Sequence, residues 1–319
     1  MGGTIAGTAS SAADNVGYRA AQVKIDDLLH SIPALGGVVR GYDLVAEQVA
    51  QVDSKDLEFS HWIALAKRVN AFLAMPDVAG IVVTHGTDTL EETAFFLSQV
   101  VPAELLAAKA VVLTCAMRPA SSMSPDGPQN VMDALAVAVT PGAKDVVVVC
   151  AGVLHSALGV QKVHTYRLDA FDSGESGPLG YMEEGVLRMV HEWPSASRGP
   201  VPISIVDLSA VAFPRVEIVM NYVGVTGAVV RAMCAHDDDP VRGIVVAGTG
   251  NGTIHVDLES ALRDAQAQGV RIVRTTRCAE GCVVPGALND GAFPHSGGLS
   301  PVKARIALML DLLAQNKAA

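Results

Sequence analysis

The chain has 319 residues, half of them hydrophobic and only 4% aromatic, with a formal net charge of −10 at pH 7. That acidity argues against a nucleic-acid binder, which needs a basic face against the phosphates. No uninterrupted apolar run approaches the ~20 residues of a membrane span. The length fits about two domains, and abundant Ala, Val and Gly suit helices packed closely on a buried parallel sheet. Five cysteines (Cys115, Cys150, Cys234, Cys278 and Cys282) are an odd number in a long chain and imply no disulfide framework. Cys115 and Cys150 sit in apolar runs and read as reduced core residues. Cys278 and Cys282 have no second pair or nearby histidine at ligand spacing, which argues against zinc.

The chain opens on a glycine-rich turn, Met1 to Gly7, with no strand in front of it. Thr8 to Gly17, ending at Tyr18, is rich in small residues and reads either as a lid over a site or as a frayed terminus. Val23 to Ile32 has a helical period stopped by Pro33, and Gly41 to Val52 reads as an extended segment leading to Asp53-Ser54-Lys55-Asp56. Ser60 is expected to cap a helix whose apolar face includes Trp62, Ile63, Leu65, Ala66, Val69 and Phe72. The run Ile81 to Thr84 is a buried strand that stops at His85-Gly86-Thr87-Asp88-Thr89. A helix follows at once, with Asp88 or Thr89 as N-cap and Glu91 and Glu92 in its first turn. In an open α/β sheet, this end of a strand is where ligands bind.

Val111 to Thr114 is a second such strand, running into Ala116-Met117-Arg118-Pro119, then Asp126-Gly127-Pro128 and a helix to about Val139. Asp145 to Cys150 is a third. Gly152 to Tyr181, which contains Lys162, is less regular. Residues 194–202 form the linker candidate, rich in Pro and Ser. Beyond it the alternation restarts, with strands at Val216–Val219, Gly243–Ala247 and Val270–Arg274 and helices at Gly227–Ala235 and Leu258–Gln268. Ser300 caps a last helix that has Pro301 at its first position. The pattern predicts two α/β domains: 1–193, larger, with a doubly wound and mainly parallel sheet, and 203–319, smaller, with a parallel sheet.

Several separated motifs together resemble the bacterial-type L-asparaginases of the asparaginase/glutaminase family. They are Gly2-Gly3-Thr4-Ile5-Ala6-Gly7, the Thr84–Thr89 stretch, Ala116 to Pro119, Asp126-Gly127-Pro128, Val160-Gln161-Lys162, Gly177 to Tyr181, Gly250-Asn251-Gly252 and Leu299 to Arg305. They fall in the family's order over essentially the whole chain. The resemblance implies hydrolysis of L-asparagine to L-aspartate and ammonia, with variable glutaminase activity and with no metal or organic cofactor. It also implies a homotetramer of intimate dimers, each site being closed by a neighbouring subunit. Thr4 resembles the nucleophile and Tyr18 its assistant from the lid. Thr87, Asp88 and Lys162 resemble the second hydroxyl–carboxylate–amine triad, in which Asp88 also holds the α-ammonium of the substrate. Ser54 resembles the ligand of the α-carboxylate. Backbone N–H groups near Thr87 and Ala116 are further donors of the kind an oxyanion needs. Asn251 resembles the residue that reaches into the neighbour's site. A threonine hydroxyl needs a base or charge network to become a nucleophile. A lysine suits that network because its proton affinity responds readily to burial. His85 reads as a structural, hydrogen-bonding histidine rather than a base.

Three departures from the family pattern carry expectations. Family members have an apolar strand directly before Gly-Gly-Thr, whereas this sequence begins at Met1. On that ground the native chain is expected to start further upstream. Without that strand, Thr4 is expected to be untethered and ladder groups of the adjacent strand unpaired. As it stands the sequence implies a cytoplasmic protein; a signal peptide ahead of Met1 would make it periplasmic. Lys55 stands where the family commonly has Gln. The glutamate lent by the neighbouring subunit should fall near 287–290, where Asn289 or Asp290 is the nearest substitute. The last two changes make the ammonium pocket less negative and predict weaker use of free L-asparagine.

Competing readings are a dual glutaminase-asparaginase, a non-catalytic amino-acid-binding relative, and an amidotransferase subunit serving tRNA-linked substrates. A nucleotide-binding Rossmann enzyme is excluded because no G-x-G-x-x-G joins a first strand to a helix.

Overall fold

Apolar β-branched runs that stop at polar turns and are followed by helical periods form buried parallel strands. Three of them make the parallel half of the first sheet, with the earliest at its edge, in the computed structural model, which describes residues 1–32, 35–39, 41–194, 212–236, 238–286 and 293–318. The chain divides into two compact units, Met1–Ser209 and Ala210–Ala319. Apart from Pro194, the expected linker at 194–202 lies outside the described residues, as do Pro33, Asn289 and Asp290.

In the first unit, strands β1 (Ile81–Thr84), β2 (Ala110–Thr114) and β3 (Asp145–Cys150) pair in parallel, with Thr84 opposite Thr114 and Thr114 opposite Val149. The three strands therefore end level, and the polar turns after β1 and β2 share one edge. Every residue of β2 and β3 is buried. Helix α6 (Gly127–Ala138) sends Ala134 and Val137 against Val112, Val147 and Val149. Alternate strand residues face the other side, where α4 (Leu90–Val100) lies on β3 and α5 (Ala103–Ala108) on β2 and β3. Helix α3 (Phe59–Leu73) packs on α4. Short helices α1 (Ile25–His30) and α2 (Leu35–Val38) precede them.

The less regular stretch holds the part of the sheet that the sequence pattern concealed. Ala151 and Gly152, at φ 50° and 74°, turn β3 back into β4 (Val153–Ser156). Two successive positive φ values are the signature of a tight hairpin turn. Glu184 and Gly185, at φ 51° and 75°, likewise join β7 (Gly180–Glu183) to β8 (Val186–Met189). Neither Ala-Gly nor Glu-Gly is the usual composition of such a turn. The sheet order is β1-β2-β3-β4-β7-β8, and four of its six strands (β1, β2, β3 and β7) run in one direction. A separate pair, β5 (Gln161–Lys162) and β6 (Phe171–Asp172), is antiparallel.

One local expectation, the Ser60 cap, changes, and two are made specific. Gly41–Val52 joins no strand. Helix α3 is capped by Glu58 rather than Ser60, because Glu58 and His61 cap each other reciprocally. Its buried face includes Leu73, while Phe72 lies half-buried under the Arg68 guanidinium, 4.7 Å from the ring centre. Asp88 and Thr89 resolve to Thr89 at the N-cap of α4.

In the second unit, β9 (Val216–Met220), β10 (Gly243–Gly248) and β11 (Arg271–Thr276) form a parallel sheet in the order β11-β10-β9. Helices α7 (Ala228–Cys234) and α8 (Val256–Ala267) close one core over Ile244, Val246 and Ile272. Helix α9 (Pro301–Ala318) begins at the expected proline and packs on β9, β10 and β11. Among the described residues, no helix is long and apolar enough to cross a membrane.

Candidate active site

Thr4 starts a single 3-10 turn, Thr4–Ala6, whose next residue, Ile5, is buried with Ala116, Val131 and Leu135. The backbone is tied as well. Ala6 and Ala21 donate to the Gly3 carbonyl and Gly7 donates to that of Thr4. Met1 bonds to the Thr84 carbonyl through its nitrogen at 2.9 Å and to the Val52 N–H through its carbonyl at 3.3 Å. Thr4 is thus buried and tethered, contrary to expectation, because Ile5 anchors it in a core and the end of β1 takes up Met1.

The segment after Thr4 is an ordered loop rather than a frayed end. Thr8 and Arg19 exchange both backbone hydrogen bonds, closing the loop at its base. Further bonds run from Ala120 to the Gly7 carbonyl, from Met123 to that of Ala12, and from Ala9 to Ser121 Oγ. The closure returns Tyr18 to the start of the chain. Its hydroxyl lies 2.6 Å from Thr4 Oγ1, and its ring covers Gly7, where a Cβ would come within 2.8 Å of Tyr18 Cδ2.

The turn after β1 carries a second hydroxyl with its own partners. Lys162 Nζ donates to Thr87 Oγ1 at 2.8 Å and to Asp88 Oδ1 at 2.6 Å, while Thr87 Oγ1 lies 3.4 Å from the same carboxylate oxygen. Lys162 is brought in by β5, whose backbone N–H at Lys162 donates to the Glu91 carboxylate on α4 at 3.2 Å. Glu91 is an anchor that the sequence suggested only as a first-turn acid.

The two turns meet at glycine. Gly3 has φ +86°, and a Cβ on it would lie 2.2 Å from Gly86 Cα; a Cβ on Gly86 would lie 2.4 Å from Ser54 Oγ. At both positions a side chain would collide, so each must be glycine. Thr4, Ser54 and Thr87 are therefore gathered by backbone contact. Ser54 Oγ is buried without a hydrogen-bond partner, while its carbonyl accepts from Thr89 Oγ1 at 2.9 Å.

Lys55 points outward. It pairs with Asp56 and lies 3.9 Å from Asp53, and its pKa is raised first by the Asp56 hydrogen bond, with Asp53 and Asp88 adding through charge. Ala116 is buried directly after β2. Its loop is held by Asp126, whose carboxylate accepts from the Met117 and Arg118 N–H groups at 2.9 Å each, and by Asn130, which donates to the Cys115 carbonyl at 2.9 Å. His85 is completely buried and burial lowers its pKa to about 4, against a smaller upward push from the Gly86 carbonyl it contacts. In the second unit Asn251 is exposed and exchanges hydrogen bonds with the Val284 backbone at 2.9 and 2.7 Å. Among the described residues no group of three or more His, Cys, Asp or Glu side chains could hold a metal ion.

Residues 1–195 match the family described as "Asparaginase, N-terminal" and residues 215–319 the one described as "Glutaminase/Asparaginase C-terminal domain". The chain is 35% identical to L-asparaginase 2 of Bacillus subtilis (strain 168), over 99% of this chain and 81% of that protein. It is also 35% identical to a glutaminase-asparaginase of Pseudomonas fluorescens biotype A, over 98% of this chain and 84% of that one. A crystal structure of a probable cytoplasmic L-asparaginase from Campylobacter jejuni superposes with a TM-score of 0.87 at 34% identity, covering 98% of this chain and 92% of that one.

Proposed function

The chain belongs to the asparaginase family, and from that premise we propose that it hydrolyses L-asparagine to L-aspartate and ammonia with Thr4 as nucleophile. One observation carries the assignment of roles: two threonine hydroxyls on turns packed glycine to glycine, each with its own proton partner. Thr4 Oγ1 attacks the side-chain amide carbon and its proton passes towards Tyr18. The C–N bond breaks, ammonia leaves with the proton, and water then cleaves the acyl-threonine ester to release aspartate. Lys162 and Asp88 manage the proton of Thr87 in the same cycle. With Oδ1 of Asp88 engaged by Lys162, its second oxygen accepts from the substrate α-ammonium. The Ser54 hydroxyl donates to the α-carboxylate, and N–H groups around Thr87 and Ala116 bear the oxyanion.

The assembly that fits this reading is a homotetramer of intimate dimers. Each Asn251, with one amide hydrogen used on Val284, has a second to offer a neighbouring site. Similarity to a protein named glutaminase-asparaginase supports a dual specificity as the second reading. Ammonia release from asparagine and glutamine, measured side by side on the wild type, Thr4→Ala and Thr87→Ala, tests both. Release that persists in Thr4→Ala, or aspartate binding without any release, would overturn the proposal.

A further inference from the structure

Trp62, Thr93 and His85 come from α3, α4 and the turn after β1, yet they form one buried hydrogen-bonded line ending on the Gly86–Thr87 peptide. Trp62 Nε1 lies 2.9 Å from Thr93 Oγ1, Thr93 Oγ1 lies 2.9 Å from His85 Nε2, and His85 Nδ1 lies 2.7 Å from the Gly86 carbonyl oxygen. Counting donors fixes each proton. The Gly86 carbonyl only accepts, so His85 Nδ1 carries the ring proton and donates to it, which leaves Nε2 of the neutral ring as an acceptor. Thr93 therefore directs its single hydroxyl hydrogen to Nε2 and accepts from the Trp62 indole N–H, which only donates. His85 and Thr93 are fully buried and Trp62 is 6% exposed. The line starts from a fixed ring, since Trp62 stacks on Phe96 with centroids 4.6 Å apart and planes at 18°.

We propose that this line is a positioning device: it sets the plane of the Gly86–Thr87 peptide and so keeps the Thr87 hydroxyl within reach of Lys162 Nζ. The inference rests on the reading of Thr87 as part of the catalytic machinery. Gly86 has no side chain to fix its own orientation, and it is wedged against Gly3 and Ser54 at separations that no Cβ could enter. A rotation of its carbonyl would swing Thr87 off Lys162 and lift the contact with the Thr4 turn. The His85 carbonyl contact is the brake on that rotation. Thr93, His85 and Trp62 are positioning residues, since none of them touches Lys162, Thr87 Oγ1 or Asp88 in this arrangement.

The test joins spectroscopy of the wild type to kinetics of four variants. Long-range 1H–15N correlation spectra should show His85 as the Nδ1–H tautomer at neutral pH; the Nε2–H tautomer would overturn the proposal without any variant having to fold. Thr93→Val keeps the volume but removes both bonds, and should lower kcat for asparagine by about tenfold or more with KM changed less than about twofold. His85→Asn retains a donor at the Nδ1 position and should keep more of kcat than His85→Gln, which retains only the Thr93 side. Unchanged kcat in both Thr93→Val and His85→Gln would overturn the positioning role while leaving the functional reading intact, provided Thr87→Ala is inactive. Full activity in Thr87→Ala would instead remove the functional reading.

Discussion

The Thr4 hydroxyl lies 2.6 Å from the Tyr18 hydroxyl, although fourteen positions of loop separate the two residues. Nothing local enforces that proximity. It comes from the Thr8–Arg19 bridge at the base of the loop and from the seat of the Tyr18 ring on Gly7. The pair predicts a graded response. Thr4→Ala should lower ammonia release by at least about a thousandfold, as loss of a nucleophile does. Tyr18→Phe, which keeps the ring on Gly7, should lower kcat by roughly a hundredfold. Loss of one hydrogen bond accounts for only about 1 kcal/mol of stability, so thermal melting of Tyr18→Phe should stay near that of the wild type. Wild-type kcat in Tyr18→Phe would remove the phenol from the mechanism.

Lys162 is largely buried and Asp88 is about half exposed. An ion pair so open to water adds about 1 kcal/mol or less to the fold, whereas the proposed role in proton transfer predicts a far larger effect on turnover. Lys162→Met should therefore reduce kcat by roughly a hundredfold or more with little change in the melting temperature. A variant that melts much lower yet turns over normally in its folded fraction would make Lys162 a structural residue.

Lys55 faces Asp53 and Asp56 in water, and Asp88 also acts on it through charge. If Asp88 holds the substrate ammonium as proposed, Lys55 competes with it only through screened charge. Lys55→Gln should raise kcat/KM for asparagine by no more than about fivefold, and the gain should shrink as salt is added. Steady-state kinetics at two ionic strengths decides this, and a fall in kcat/KM at low salt would count against it.

His85 links acidity to stability. Its pKa is about 4 in the fold against 6.5 for an unperturbed histidine. Below pH 6.5 the unfolded chain takes up a proton that the folded one refuses until about pH 4. Stability is therefore fully present above pH 6.5 and is lost progressively as pH falls towards 4. The linkage is about 3 kcal/mol over that window. Urea unfolding at pH 7, 5.5 and 4 should give a shallower pH dependence for His85→Asn than for the wild type, and parallel curves would refute the assignment.

Strands β2, β3 and β10 were legible because burial on both faces leaves a continuous apolar run, and the turns after β1 and β2 announce themselves by abrupt polarity. The hairpin half of the sheet was not legible. Ala151 and Glu184 take up left-handed conformations that their side chains do not advertise, and tertiary pairing imposes them. The candidate residues could be named from motifs, but their company could not. Glu91 reaches Lys162 across 71 positions and Trp62 reaches Thr93 across 31, distances over which a single sequence carries no signal. The cap of α3 went to Glu58 because a reciprocal Glu–His pair satisfies two backbone groups, more than Ser60 alone would satisfy.

The contact of Gly3 with Gly86 gives the site a seam. One side of it is the turn after β1, and the other is the Thr4 turn, held by backbone bonds and by Ile5. Parting that seam would need only the first turn to lift, with the sheet beneath still whole. Loss of activity on heating would then be an early and local event, reversible while the sheet survives, and a half-life measured by ammonia release would record the opening of this seam rather than the melting of the protein.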